Sequence, residues 1–224
     1  MKAVTFKVFL LGLLLFVAPL AIGQNPSPAS VCNTTQVNAD LMKSDPMYRQ
    51  GRLAAEAQIN SIINQNKFAK PAGTIYIIPI VVHVIHTGQA VGVGANISVA
   101  QINSQVAALN RDYRRLPDDA GIALGAGVDT EIQFCLKGIN RVNGSSVSGY
   151  SSSGITSSNE VSVKALSLWD NCCYYNIWTV TEINGNNGGA GTQGYAYFPN
   201  SCNFNKDKDG TVVLYNAFGN DPGG

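Results

Sequence analysis

Two spacings of apolar residues run through the chain, one typical of strands and one typical of helices. A nearly continuous apolar run at 75–86 predicts a strand buried on both faces, and shorter runs predict strands at 130–136, 175–181, 194–198 and 211–215. Helical spacing follows Asp45-Pro46, an N-cap with proline at the first helical position, and Ser98, which begins a capping box with Gln101. A short helix is predicted near 162–169. This order of elements predicts an α/β fold whose mixed sheet has parallel members.

The first 23 residues have the pattern of a secretory signal peptide. Lys2 and Lys7 precede an apolar run at 8–20, and residues 21–23 form a small-x-small cleavage site. A membrane anchor is the alternative, but the run is shorter than the ~20 residues that a spanning helix needs. We therefore predict cleavage, a secreted (extracellular) product and no membrane partner afterwards.

Residues 24–70 form a leader that differs from the chain after it. Coil at its start gives way to the helix after Asp45, and a polar, basic stretch ends at the break Pro71-Ala72-Gly73. The leader is either a helix that caps the domain or a prosegment. The main domain is predicted to occupy residues 71–224.

Composition and cysteine content narrow the class of protein. The net charge is +1 and only 13% of residues are charged, which gives no basic patch and makes nucleic acid an unsuitable partner. Five cysteines are an odd number for an exported chain. One, Cys32, is in the leader, and the other four could form two disulfides. Adjacent cysteines rarely reach disulfide geometry, so Cys172 and Cys173 would not bond to each other and each would pair with one of the other two. Which cysteine pairs with which stays open. These four are Cys135, Cys172, Cys173 and Cys202.

The usual motifs of catalysis and metal binding are missing from the printed sequence. His83 and His86 are the only histidines, and their spacing puts them on opposite faces of one strand, which favours structural roles over a shared metal ion. The loop 205–210 begins like a calcium-binding EF-hand but lacks the first carboxylate and the twelfth-position Glu, so we interpret it as a turn and find calcium unsupported. The sequence has no G-x-S-x-G and no P-loop.

Several segments, in their order along the chain, resemble the pappalysin family of metzincin zinc endopeptidases. They are C-N-T at 32–34, L-x-K-x-D-P-x-Y at 41–48, Y-Y-N-I-W-T-V at 174–180, G-Y-A-Y-F-P at 194–199 and D-G-T-V-V-L-Y-N-A-F-G at 209–219. The resemblance covers about residues 32–219. It implies a metzincin-like upper subdomain: a twisted five-stranded mixed sheet with an antiparallel edge strand and packed helices, preceded by a helical prosegment.

The resemblance also implies roles for particular residues. Cys32 would be a metal ligand that blocks the catalytic zinc and keeps the enzyme latent, with activation by cutting near 67–70; a disulfide or an uninvolved thiol is the alternative. The edge strand would bind a protein or peptide substrate, which would pair with it as an added strand. The alternative is an ordinary edge strand without a binding role. The substrate-binding residues would be Gly194, Tyr195, Ala196 and Tyr197.

The family's zinc motif, H-E-x-x-H-x-x-G-x-x-H, does not occur in the printed 224 residues. We therefore expect zinc ligands downstream of Gly224, no catalytic residue within this chain, and no activity from the chain alone. The alternative is a short, non-catalytic secreted protein that binds peptides or surfaces.

Overall fold

The computed structural model describes residues 31–65, 73–116, 128–198 and 206–220. The predicted signal peptide, the expected cutting region at 67–70 and Cys202 lie outside the described residues. Within these ranges no helix has the length and apolar character needed to cross a membrane.

In the described residues, six strands form a single mixed sheet. They are β1 (Val31–Cys32), β2 (Tyr76–His86), β3 (Ile132–Asn143), β4 (Tyr175–Val180), β5 (Thr192–Ala196) and β6 (Thr211–Leu214). Their spatial order is β1-β5-β6-β4-β2-β3, and only the β5–β6 pair is antiparallel. The five domain strands, with antiparallel β5 at one end, confirm the predicted fold class. The leader adds β1 as a sixth strand, which was not predicted.

Strand β3 is longer than its predicted range of 130–136. It pairs with β2 over its whole length, from Tyr76 opposite Ile132 to His86 opposite Asn143. The second half of β3 mixes lysine, glycine, asparagine and arginine with apolar residues, so its hydrophobic pattern is weak. Pairing with the buried strand β2 extends it, because tertiary context overrides weak local strand preference.

The part of the chain that the structure describes has five α-helices beside the sheet: α1 (Thr34–Ser44), α2 (Pro46–Asn64), α3 (Val99–Tyr113), α4 (Tyr150–Ser153) and α5 (Glu160–Ala165). The predicted caps are confirmed, since the Asp45 side chain accepts hydrogen bonds at the start of α2 and Ser98 accepts one from the Gln101 amide. Helix α1 was missed by sequence analysis. It has few apolar residues and is held by contacts with α2 and β5.

Apolar residues pack on both faces of the sheet. On one face, Ile80, Val82 and Val84 of β2 pack with Ile102 of α3. On the other face, β4 and β6 pack against α4, α5 and their flanking loops through the fully buried residues Trp178, Val180, Val212, Leu214, Tyr150 and Val163. Strand β2 is buried from Ile80 to Ile85, as its continuous apolar run predicts.

Candidate functional site: the edge of strand β5

The leader lies along the strand edge that was predicted to bind substrate. Strand β1 pairs in parallel with β5, with Cys32 opposite Gly194. The Asn33 amide donates a 3.0 Å hydrogen bond to the Gly194 carbonyl oxygen, and the Ala196 amide donates one of 3.0 Å to the Thr34 hydroxyl. Backbone groups of β5 that an added strand would use are therefore already taken by the leader.

A second contact holds the leader just beyond β5. The guanidinium carbon of Arg52, on α2, lies 5.0 Å from the centre of the Phe198 ring, which is a cation–π distance. Helix α1 also borders a cleft of about 200 Å³ whose walls include Asn33, Leu41 and Tyr197. The leader thus covers β5 from its first residue to the segment that follows it.

Cys32 lies at this edge with its side chain exposed. It lines a cleft of about 320 Å³ together with Thr34, Gly194 and Tyr195. Its Sγ lies 3.3 Å from the Thr34 hydroxyl oxygen. Hydrogen bonds from the Thr34 side chain and backbone lower the pKa of the Cys32 thiol, while slight burial opposes them. This environment favours the thiolate, the form that binds metal ions.

The hydroxyls of Tyr195 and Tyr197 both reach a buried carboxylate. Tyr195 donates a 2.9 Å hydrogen bond to Glu160 Oε1, and Tyr197 donates one of 2.6 Å to Glu160 Oε2. Lys164 Nζ lies 2.8 Å from Glu160 Oε1 and donates to the Lys208 carbonyl oxygen. The predicted binding role of these tyrosines, which concerns their backbone groups, stays a prediction.

Burial dominates the electrostatics of this cluster. The Lys164 side chain is fully buried, which lowers its pKa, and the neighbouring Glu160 carboxylate opposes that shift. Burial and the Glu160 charge both raise the pKa values of Tyr195 and Tyr197 far above the usual tyrosine range. Both hydroxyls accordingly stay protonated and act as donors.

Sequence analysis missed Glu160 and Lys164. Their i,i+4 spacing is that of an ordinary exposed helical ion pair, and nothing local marks them as buried. The apolar residues between them give no clear signal either, because Val163 is buried and Val161 is exposed.

The two histidines have separate environments. His83 is fully buried and stacks on Trp178 with ring centres 5.0 Å apart. The distance from its Nε2 to Asn176 Oδ1 is 2.8 Å, a hydrogen bond. His86 is half-buried, and its Nδ1 accepts a hydrogen bond from the Gly88 amide. Both therefore have the structural roles that were expected.

In the described ranges, no group of three His, Cys, Asp or Glu residues could hold a metal ion. Residues 206–208 form a turn between β5 and β6, the position expected for the EF-hand-like loop.

The structure has free thiols at Cys32 and Cys135, while Cys172 and Cys173 lie in a turn before β4. Because Cys202 lies outside the described residues, the two disulfides stay predictions.

Solved structures provide the comparison with known proteins. A promirolysin variant from Tannerella forsythia has 27% identity to this chain, a TM-score of 0.55, and a match over 85% of this chain and 61% of its own. Mature mirolysin from Tannerella forsythia in complex with a cleaved peptide has 31% identity, a TM-score of 0.51, and a match over 67% and 56%. The resemblance to the pappalysin family is confirmed. The chain thus has a fold like that of the pappalysin metalloproteases.

The chain spans about three fifths of the length of these mirolysin structures. No protein-family model and no curated protein matches it. The match to the precursor extends over more of this chain than the match to the mature enzyme.

Proposed function

We propose that this chain is the leader and the N-terminal part of the catalytic domain of a secreted, zinc-dependent endopeptidase, made as a latent zymogen. The observation that carries the proposal is the pairing of leader strand β1 with β5, the strand predicted to bind substrate. A strand edge that accepts one extended segment through backbone hydrogen bonds has the geometry to accept another.

The comparisons support the parts of this proposal that concern the leader and the substrate. The match covers 85% of this chain for the precursor and 67% for the mature enzyme, a difference close to the size of the leader. The mature mirolysin structure contains a cleaved peptide, which supports peptides or proteins as substrates here. Secretion is proposed from the signal-like sequence at 1–23.

The described residues do not provide a zinc site, because they contain no cluster of three suitable ligands. In the proposal the zinc ligands come from sequence downstream of Gly224, and Cys32 contributes one thiolate from the leader. Its exposed position beside Gly194 and its lowered thiol pKa suit that latency role. The part of this chain in catalysis is then to hold the substrate backbone along β5.

The proposal is tested by the coding sequence after codon 224 and by the activity of its complete product. We expect the zinc motif within about 30 residues, as the usual metzincin arrangement requires. We also expect cleavage of a fluorogenic peptide that begins only after the leader is cut and stops on chelation of zinc. A Cys32→Ser form, which loses the thiolate but keeps β1 on β5, should show weak activity before cutting and full activity after it.

A frame without the motif would contradict the enzyme proposal. Retained binding of extended peptides after leader removal would then favour the non-catalytic binding protein. If the leader-free chain also binds no peptide, β5 is an ordinary edge strand and both functions fail.

A further inference from the structure

A buried carboxylate lies behind the strand whose edge the leader covers. Glu160 is 4% exposed, and both of its oxygens accept hydrogen bonds from side chains of the β5 region. Its negative charge is matched by Lys164, which is fully buried. The pair therefore forms a buried site whose carboxylate accepts from both tyrosines.

The two tyrosines that reach Glu160 are spaced so as to hold the strand at two points. Tyr195 and Tyr197 are two residues apart, so their side chains leave the strand on the same face. One hydroxyl bonds to each oxygen of the same carboxylate. Strand β5 also pairs with β6, and that pairing sets its register. Two side-chain contacts on one buried acceptor add a constraint on the rotation of the strand about its own axis.

The backbone groups that face the leader belong to residues next to those tyrosines. Gly194 accepts from Asn33, and Ala196 donates to Thr34. The orientation of the Gly194 carbonyl and the Ala196 amide therefore depends on how Tyr195 and Tyr197 are held, in addition to the pairing of β5 with β6. Peptide binding along an edge depends on such groups being fixed before the peptide arrives.

We infer that Glu160, held by Lys164, is a positioning residue that orients the β5 edge through the hydroxyls of Tyr195 and Tyr197. The inference rests on the proposed function only in that the edge binds substrate. Glu160 acts through other side chains, since its hydrogen-bond and ion-pair partners are Tyr195, Tyr197 and Lys164.

Lys164 is held from several sides, which keeps the carboxylate in place. Its Nζ lies 4.8 Å from the Trp178 ring centre and 4.7 Å from that of Tyr197. It also donates to the carbonyl oxygen of Lys208, in the turn that joins β5 to β6. The ion pair thus connects α5, β4 and the β5–β6 turn into one support for the edge.

The test removes the two hydroxyls and leaves the ring packing unchanged. In the whole chain after signal removal, Tyr195→Phe and Tyr195→Phe/Tyr197→Phe are compared with the natural sequence by native-state amide hydrogen exchange. We expect exchange at Ala196 to rise about tenfold for each lost hydroxyl, since hydrogen bonds to charged acceptors are the stronger ones. Exchange at Ile177 and Thr179 in β4 should stay unchanged.

Tyr150→Phe is the matched control. Tyr150 is also a buried tyrosine; its hydroxyl donates a 2.8 Å bond to the Ile85 carbonyl oxygen and accepts one of 3.3 Å from the Thr181 amide, just after β4. We expect this variant to leave exchange at Ala196 unaltered, whatever it changes at the end of β4. If the β5 variants accelerate both strands equally, or change neither, Glu160 has only a structural role and the inference is overturned.

A binding measurement separates this inference from the proposed function. The chain is cut within 67–70, and a fluorescent peptide copying residues 29–36 competes with the cut leader. If the peptide does not bind the cut chain of natural sequence, the proposal that β5 binds substrate is contradicted. The hydrogen-exchange result would then still decide whether Glu160 orients the β5 edge. Binding with equal dissociation rates from the natural chain and the double variant would overturn the inference; about tenfold faster release from the variant would support it.

Discussion

The backbone amide of Asn33 donates a 3.0 Å hydrogen bond to the carbonyl oxygen of Gly194. This bond joins the leader to the one antiparallel strand of the domain sheet, and it lies one residue from Cys32. Cys32, the proposed latency residue, and β5, the proposed substrate edge, which the sequence suggested separately, are therefore neighbours in the fold. Any change at this junction should affect both the thiol and the strand.

Thr34→Val should raise the pKa of the Cys32 thiol. The Thr34 side chain makes the largest contribution to lowering that pKa, and valine keeps the shape without the hydroxyl. We expect the pH midpoint for alkylation of Cys32, followed by peptide mass spectrometry, to move upward. Thr35→Val, at an exposed neighbouring position, is the control and should leave the midpoint in place. Equal midpoints in all three proteins would contradict the assigned hydrogen bond.

Gly194→Ala should destabilise the β5–β6 pair. A Cβ at Gly194 would lie 2.9 Å from the Val212 carbonyl oxygen and 3.4 Å from the Val213 Cα, both backbone atoms that cannot turn aside. We expect a loss of about 1–3 kcal/mol in the free energy of unfolding by urea, the usual cost of overpacking. Gly189→Ala, whose Cβ would meet only the Asn186 side chain at 3.7 Å, should change stability by less than about 0.5 kcal/mol. Similar losses in both would mean that close packing at Gly194 is unimportant.

Lys164→Met should be strongly destabilising because it leaves the Glu160 carboxylate buried without its cation. Breaking one half of a buried ion pair typically costs about 3–5 kcal/mol. The double change Glu160→Gln/Lys164→Met removes both charges and should recover most of that loss, as measured by urea unfolding. Asp112→Asn, which breaks a contact of 3.1 Å with Arg111 at a half-exposed position, should cost less than about 1 kcal/mol. A double variant no more stable than Lys164→Met would show that charge pairing is not what matters at this site.

His83 should make the protein less stable in mild acid. Burial lowers the His83 pKa from 6.5 to about 4, although the bond to Asn176 opposes the shift. Asn176 Oδ1 also accepts from the Trp169 amide, so Nε2 carries the proton, and Nδ1 faces the Asn140 amide group at 3.5 Å. A second proton on Nδ1 would face the Asn140 amide group, which is itself a donor, so the charged imidazolium is disfavoured.

The sign of this pH effect follows from proton uptake. Between pH 6.5 and about 4 the unfolded chain binds a proton at residue 83 that the folded chain does not. Stability therefore falls as pH decreases through this window, by about 3 kcal/mol at its lower end. Urea unfolding from pH 7 to pH 4 should show this loss in the natural sequence and not in His83→Gln. Parallel pH curves for the two proteins would contradict a neutral, buried His83.

Much of the fold could be predicted because local pattern and tertiary structure agree. The continuous apolar run of β2, the Asp45 and Ser98 caps, and the order of the five domain strands all follow from side-chain spacing and backbone preference. Strand β1 and helix α1 could not be predicted this way. The two residues of β1 have no pattern of their own and form a strand only because β5 presents an edge.

The sequence by itself determined the α/β class and the resemblance to the pappalysins. Through that resemblance it also singled out Cys32 and residues 194–197 as candidate site residues. Only the tertiary structure decided that the leader lies on β5, and that Glu160 and Lys164 are a buried pair behind it. The physical reason is distance along the chain. Burial of a charge and pairing at a strand edge depend on residues far apart in sequence, and local spacing carries no record of which of them meet.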